Sequence, residues 1–137
     1  MRNIVLLTTC TNRKRRSVPD ERLARNLSKG PIDCVAKEWV DRLRAAHFSE
    51  NLMAGELYGG RGFREARVLA HNLASRLMII SAGCGLISSH DMVPPYGLTI
   101  TPNSEDAIQR RIIEEMASPE EWWLALNQEF HSPFPIS

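Results

Sequence analysis

The stretch "ISAGCGLISS", residues 79–88, decides how the chain is read. Leu77 to Ile80 are apolar, Ser81 interrupts them, and two glycines then flank Cys84. An apolar run of this length, bounded by glycine, reads as a buried strand ending in a glycine-lined mouth. A second apolar run, Asn3 to Thr8 (NIVLLT), precedes a polar, basic loop and reads as another buried strand.

Helical spacing fills much of the space between and after the two strands. Val35, Trp39, Val40 and Leu43 recur among charged residues and predict an amphipathic helix over about 34–48, with Asp33 as its N-cap. "FREARVLAHNLAS" (63–75) predicts a second helix leading into the strand at Leu77. Ile108, Ile112 and Ile113 predict a third, from Asn103 or Ser104 through Met116. Ser118-Pro119-Glu120-Glu121 carries an N-cap serine, a proline at N1 and a glutamate at N3, and opens a fourth helix. Its Trp122 and Trp123 are adjacent and so face different ways, one to the core and one to an interface. "SVPDERLARNL" offers a short helical turn over 20–27.

A helix feeding an apolar strand is the βαβ order. The expected fold class is therefore a Rossmann-like, three-layer α/β domain with a small, mostly parallel sheet flanked by helices. One domain spans residues 1–137. Two strands make a poor sheet. Either the loops at 50–60 and 92–101 hide strands, "LTIT" (98–101) foremost, or a partner or a missing C-terminal segment finishes the sheet.

Composition narrows the function classes. Of 137 residues, 43% are hydrophobic, enough for a core, and the net charge of +1 excludes a polycation. Attraction to nucleic acid would come from the local run Arg13-Lys14-Arg15-Arg16. Three cysteines without a CxxC, and no signal-peptide or membrane-length apolar run, place the chain in a reducing cytoplasm and off the membrane. Scattered histidines give no metal motif, and no cofactor is expected.

Four constellations could carry chemistry. "TTCTNRK" (8–14) places Thr9 and Thr11 just past a strand, where open α/β sheets bind ligands, with Arg13 and Lys14 for a phosphate. Cys10, beside four cations, is a candidate thiolate nucleophile, the alternative being an inert buried thiol. Ser81, Gly83 and Gly85 form the second strand end, and the two ends share one crevice if the strands are neighbours. "AGELYGGRGFREAR" (54–67) offers Glu56, Tyr58 and Arg67 for a sugar, base or phosphate. "HDMVPPYG" (90–97) offers Tyr96 as a rigid platform for stacking a base, and Asp91 beside His90 as an acid or base.

Taken in order, Thr9-Cys10-Thr11-Asn12-Arg13-Lys14, Ala54 to Arg67, Ser81-Ala82-Gly83-Cys84-Gly85-Leu86-Ile87 and Pro95-Tyr96 resemble the pattern of a largely uncharacterised family of small bacterial and phage α/β domains. That family is similar to domains acting on bases or nucleosides, glycosylase-like and deazaguanine-linked ones among them. The resemblance covers roughly residues 3–101 and implies a ligand crevice built from these motifs. Cys84 departs from it, standing where an aromatic is usual, and members continue with a further strand.

The expected function is binding of a nucleotide, nucleoside or base, in nucleic-acid modification or phage defence. As an enzyme, the chain would cleave or exchange a glycosidic bond, with Glu56 or Asp91 stabilising positive charge on the sugar or acting as base. The alternative is a non-enzymatic subunit of a larger nucleic-acid-handling complex, or a homo-oligomer.

Overall fold

The computed structural model describes residues 5–9, 17–57, 61–72, 76–115 and 117–131. The stretch at 79–88 folds back on itself. Strand β3 (Arg76–Ser81) runs into a turn over residues 82–84, and β4 (Gly85–Ser88) returns antiparallel beside it, with Ser81 opposite Gly85 and Met78 opposite Ser88. Two local features turn the chain. The Ser81 hydroxyl oxygen accepts from the Gly83 and Cys84 N–H groups, at 3.2 and 2.9 Å. Gly85 then takes φ = +80°, open to glycine at little cost.

Strand β1 (Val5–Thr9) pairs with β3 in parallel, Leu6 beside Leu77 and Thr9 beside Ile80, so the sheet order is β1-β3-β4. The expected mostly parallel, Rossmann-like sheet is therefore corrected: one ladder is parallel, the other antiparallel, and the sheet is mixed. Two further strands lie in the loops at 50–60 and 92–101, but they do not extend the sheet. β2 (Leu52–Met53) and β5 (Met92–Val93) form their own antiparallel ribbon. "LTIT" is not a strand; Gly97 and Thr99 make only isolated bridges, to Leu23 and Ala107.

The helices are α1 (Ile32–Arg44), α2 (Ala54–Leu57), α3 (Arg61–Asn72) and α4 (Pro119–His131). The apolar stripe of α1 buries Val35, Trp39, Val40 and Leu43. Its first N–H is met by Glu114 Oε1 at 3.0 Å rather than by an N-cap side chain, with Asp33 lying inside the first turn. At α4 the expected capping box forms, Ser118 and Glu121 exchanging bonds of 3.1 and 3.2 Å. Trp122 is buried and Trp123 half-buried. The helix expected through Met116 reduces to a 3-10 turn, Ile108–Arg111, because Ala107 and Ile112 on either side are extended and bridge to Thr99 and Gly30.

Side chains on the Leu6, Leu77 and Ile79 face of the sheet join one contiguous core with Trp39, Tyr96 and Trp122. The opposite face is exposed: Val5 is 50% exposed, Leu7 63%, Ile80 37% and Leu86 53%. Register places all four on that side, so the described residues form two layers where three were expected.

The irregular half is held by two arginines. Arg22 is buried; its Nε–H donates to the Pro95 carbonyl at 2.8 Å and its Nη2 lies 2.6 Å from Glu50 Oε1. That bond holds the Glu50 carboxyl below the usual range. Arg25 grips Asp106 through its backbone N–H, Nε–H and Nη2–H, at 2.9–3.0 Å. Burial pushes the Asp106 pKa up, but the Arg25 bonds outweigh it and the net direction is down.

Candidate functional site

β1 and β3 are neighbours, so Thr9 and Ser81 do end the sheet side by side. Among the described residues, the Ser81 side of the expected crevice is filled from within. The Tyr96 hydroxyl lies 2.5 Å from Ser81 Oγ, and Tyr96 is fully buried. A Cβ built on Gly83 would overlap the Tyr96 ring, so this glycine makes room for tyrosine, not for a ligand. Trp39 meets the same ring edge to face, centroids 5.9 Å apart. The Trp39 indole N–H donates to the Gly83 carbonyl and that of Trp122 to the Ala82 carbonyl, each at 2.8 Å. Tyr96 is thus a core residue with no open face for a base, a correction to the stacking role. Gly85 faces Asn127 Oδ1, which a Cβ would approach to 2.9 Å. Cys10, Thr11, Arg13, Lys14 and Tyr58 lie outside the described residues, as does the side chain of Thr9.

Glu56 and Arg67 converge elsewhere. The Ser89 N–H donates to the Leu77 carbonyl, which sets residues 89–91 at the opposite end of β3 from Ser81, roughly 13 Å away at strand rise. The start of α2 is tied to that turn, Ala54 N–H to the Asp91 carbonyl and Gly55 N–H to the Ser89 carbonyl, both 2.8 Å. Between α2, α3 and this turn opens a cleft of about 410 Å³, lined by Glu56, Arg67, His71, Ser89 and His90 over an apolar floor of Ala70 and Leu77. Its volume falls within the ~300–1,000 Å³ usual for small-molecule sites.

Each polar residue has a local reason to be there. Arg67 and His71 are four apart on α3 and so share one helix face. Gly55 lets α2 sit close: a Cβ there would come within 3.2 Å of the Ser89 carbonyl and 3.8 Å of Arg67 Nε. Glu56 and His90 are exposed at the rim, while Arg67 is half-buried. Neither Glu56 nor Arg67 is ion-paired with a described residue. The cleft thus holds two imidazoles, a guanidinium and a carboxylate, donors for an anion beside an acceptor for hydroxyl or N–H groups.

Asp91, the other candidate acid or base, turns its carboxylate onto the Ser88 N–H at 2.8 Å and does not line this cleft. The sequence reading missed His71; its i, i+4 spacing from Arg67 was the available signal. Among the described residues no group of three His, Cys, Asp or Glu side chains is arranged to hold a metal ion, and no helix is long and apolar enough to cross a membrane.

Set against known proteins, the chain matches no family model, no curated protein and no solved structure.

Proposed function

We propose that the protein binds a nucleotide or nucleoside phosphate in the cleft of Glu56, Arg67, His71 and His90. The observation carrying this reading is the convergence of these four side chains, from three separate segments, on one cleft. Arg67 and the imidazoles suit phosphate oxygens, and Glu56 suits ribose hydroxyls or a base N–H. A carboxylate beside a bound ribose fits cleavage or exchange at the glycosidic bond, where positive charge develops on the sugar. The resemblance to base- and nucleoside-acting domains points the same way.

The test is direct titration of nucleotides, nucleosides and short single-stranded DNA. A nucleoside monophosphate is expected to bind, and Arg67→Ala to weaken it by about tenfold or more, since bonds to charged groups are worth ~1.5–3 kcal/mol. Failure of every one of these ligands to bind sinks the reading.

A second reading, a non-enzymatic subunit, is favoured by the exposed sheet face. Val5, Leu7, Ile80 and Leu86 carry no charge, so the patch can face a second copy of itself without like-charge repulsion. Sedimentation would show a dimer that Leu7→Lys disperses; a wild-type monomer at high concentration counts against it.

A further inference from the structure

Two imidazoles reach the Glu56–Arg67 cleft from different elements. His71 lies in the last turn of α3, one turn beyond Arg67 on the same face. His90 comes from the turn between β4 and β5. That turn is held closely. The His90 N–H donates to Ser88 Oγ at 3.2 Å, and the Asp91 N–H to the Ser88 carbonyl at 3.0 Å. The Ser88 N–H donates to Asp91 Oδ2 in return. With the two bonds from the start of α2, these fix the backbone that carries His90. Both histidines are exposed, which leaves the mouth open to a strand running on past one phosphate.

Displacement at phosphorus is in line: the attacking oxygen enters opposite the one that leaves. A base on one side and an acid on the other therefore serve it, and neutral and protonated imidazole fill those roles near neutral pH. Histidines on two different elements, with a guanidinium one turn from one of them, supply both roles and a charge for the phosphoryl oxygens.

We propose that this cleft carries a further activity: cleavage of a ribonucleotide phosphodiester by its own 2′-hydroxyl. The proposal rests on the nucleotide reading of the cleft but concerns the P–O bond, not the glycosidic one. One imidazole takes the proton of the 2′-hydroxyl as that oxygen bonds phosphorus. The bond from phosphorus to the 5′-oxygen of the next nucleotide breaks, its electron pair staying on oxygen. The other imidazole, entering as imidazolium, gives that oxygen a proton. The products are a 2′,3′-cyclic phosphate and a free 5′-hydroxyl, and proton exchange with water resets the two rings. Arg67 holds the nonbridging oxygens through the displacement, and Glu56 accepts from a hydroxyl or base N–H of the nucleotide.

The substrates are the RNA dinucleotide uridylyl-adenosine, its 2′-deoxy counterpart, and the nitrophenyl ester of uridine 3′-phosphate, each given to the full chain. The RNA dinucleotide is expected to yield uridine 2′,3′-cyclic phosphate, seen by phosphorus NMR. The deoxy counterpart lacks the attacking hydroxyl and should stay intact. His71→Ala and His90→Ala are each expected to lower kcat on the RNA dinucleotide about 100-fold or more. Nitrophenolate leaves without a proton, so on the nitrophenyl ester the variant lacking the acid should recover to within about tenfold of wild type, while the variant lacking the base does not. A merely structural role for either histidine would not give this split. No cyclic phosphate from the RNA dinucleotide, equal cleavage of the deoxy counterpart, or equal behaviour of the two histidine variants on both esters overturns the proposal. Titration of uridine 3′-monophosphate then separates the two failures: binding leaves the nucleotide reading standing, and no binding removes that as well.

Discussion

The Tyr96 hydroxyl stands 2.5 Å from Ser81 Oγ, inside the core, across fifteen residues of sequence. The same Ser81 oxygen accepts from the two amides of the β3–β4 turn. One side chain therefore shapes the hairpin and anchors the loop that follows it.

Removing only the Tyr96 hydroxyl should be tolerated. Tyr96→Phe keeps the ring against Trp39 and Gly83 and is expected to cost about 1 kcal/mol. Gly83→Ala drives a methyl into that ring and should cost more, ~1–3 kcal/mol or above. Urea denaturation of the two variants checks the order; a harmless Gly83→Ala would contradict the packing described.

Gly85 tests the hairpin itself. Its φ of +80° is unfavourable for any residue with a Cβ, by roughly 1–2 kcal/mol. Gly85→Ala adds contact with Asn127 Oδ1, so the pair Gly85→Ala and Asn127→Ala should recover part of the loss. Thermal melts of the single and double variants read this coupling.

Acid should weaken the irregular half first. Glu50 and Asp106 both have folded-state pKa values below the ordinary carboxylate range. Such groups contribute stability above the unfolded pKa, and the contribution is lost as pH falls through the folded value. Stability should therefore drop below about pH 4. The variant Glu50→Gln with Asp106→Asn should show a flatter acid limb in denaturation measured across pH, and an unchanged limb would rule these pairs out as its cause.

The two ends of β3 give the nucleotide reading a sharp comparison. Binding in the Glu56–Arg67 cleft is expected to weaken about tenfold or more with Arg67→Ala and to be retained with Lys14→Ala. The reverse pattern would move the ligand to the strand ends beside Thr9 and Ser81. Calorimetric titration of a nucleoside monophosphate into both variants separates them.

The fold was legible only where one local signal dominated, and the mixed sheet was not. Ser118 and Glu121 announced their capping box, and the Trp39 stripe announced α1. The hairpin was not, because its turn is set by a side-chain bond from Ser81 and one positive φ, neither of which alters apolar periodicity. Ile108, Ile112 and Ile113 had helical spacing, but bridges to Thr99 and Gly30 held their flanks extended. The site divided in the same way. Glu56 and Arg67 stood out one by one beside glycines, but their joining with His71 and His90, away from Ser81, depends on how α2, α3 and the turn at 89–91 pack. Tyr96 looked like a platform because two prolines precede it, and only its register against Gly83 shows it to be core.

The two indole bonds to the turn have a spectroscopic consequence. Trp39 and Trp122 each donate to a carbonyl of the β3–β4 turn from buried positions, while Trp123 is half-buried. Intrinsic fluorescence of this chain is thus weighted towards one three-residue segment. A red shift of the emission marks opening of the hairpin, and substituting Trp39 or Trp122 singly by phenylalanine assigns the signal to the Gly83 or the Ala82 side.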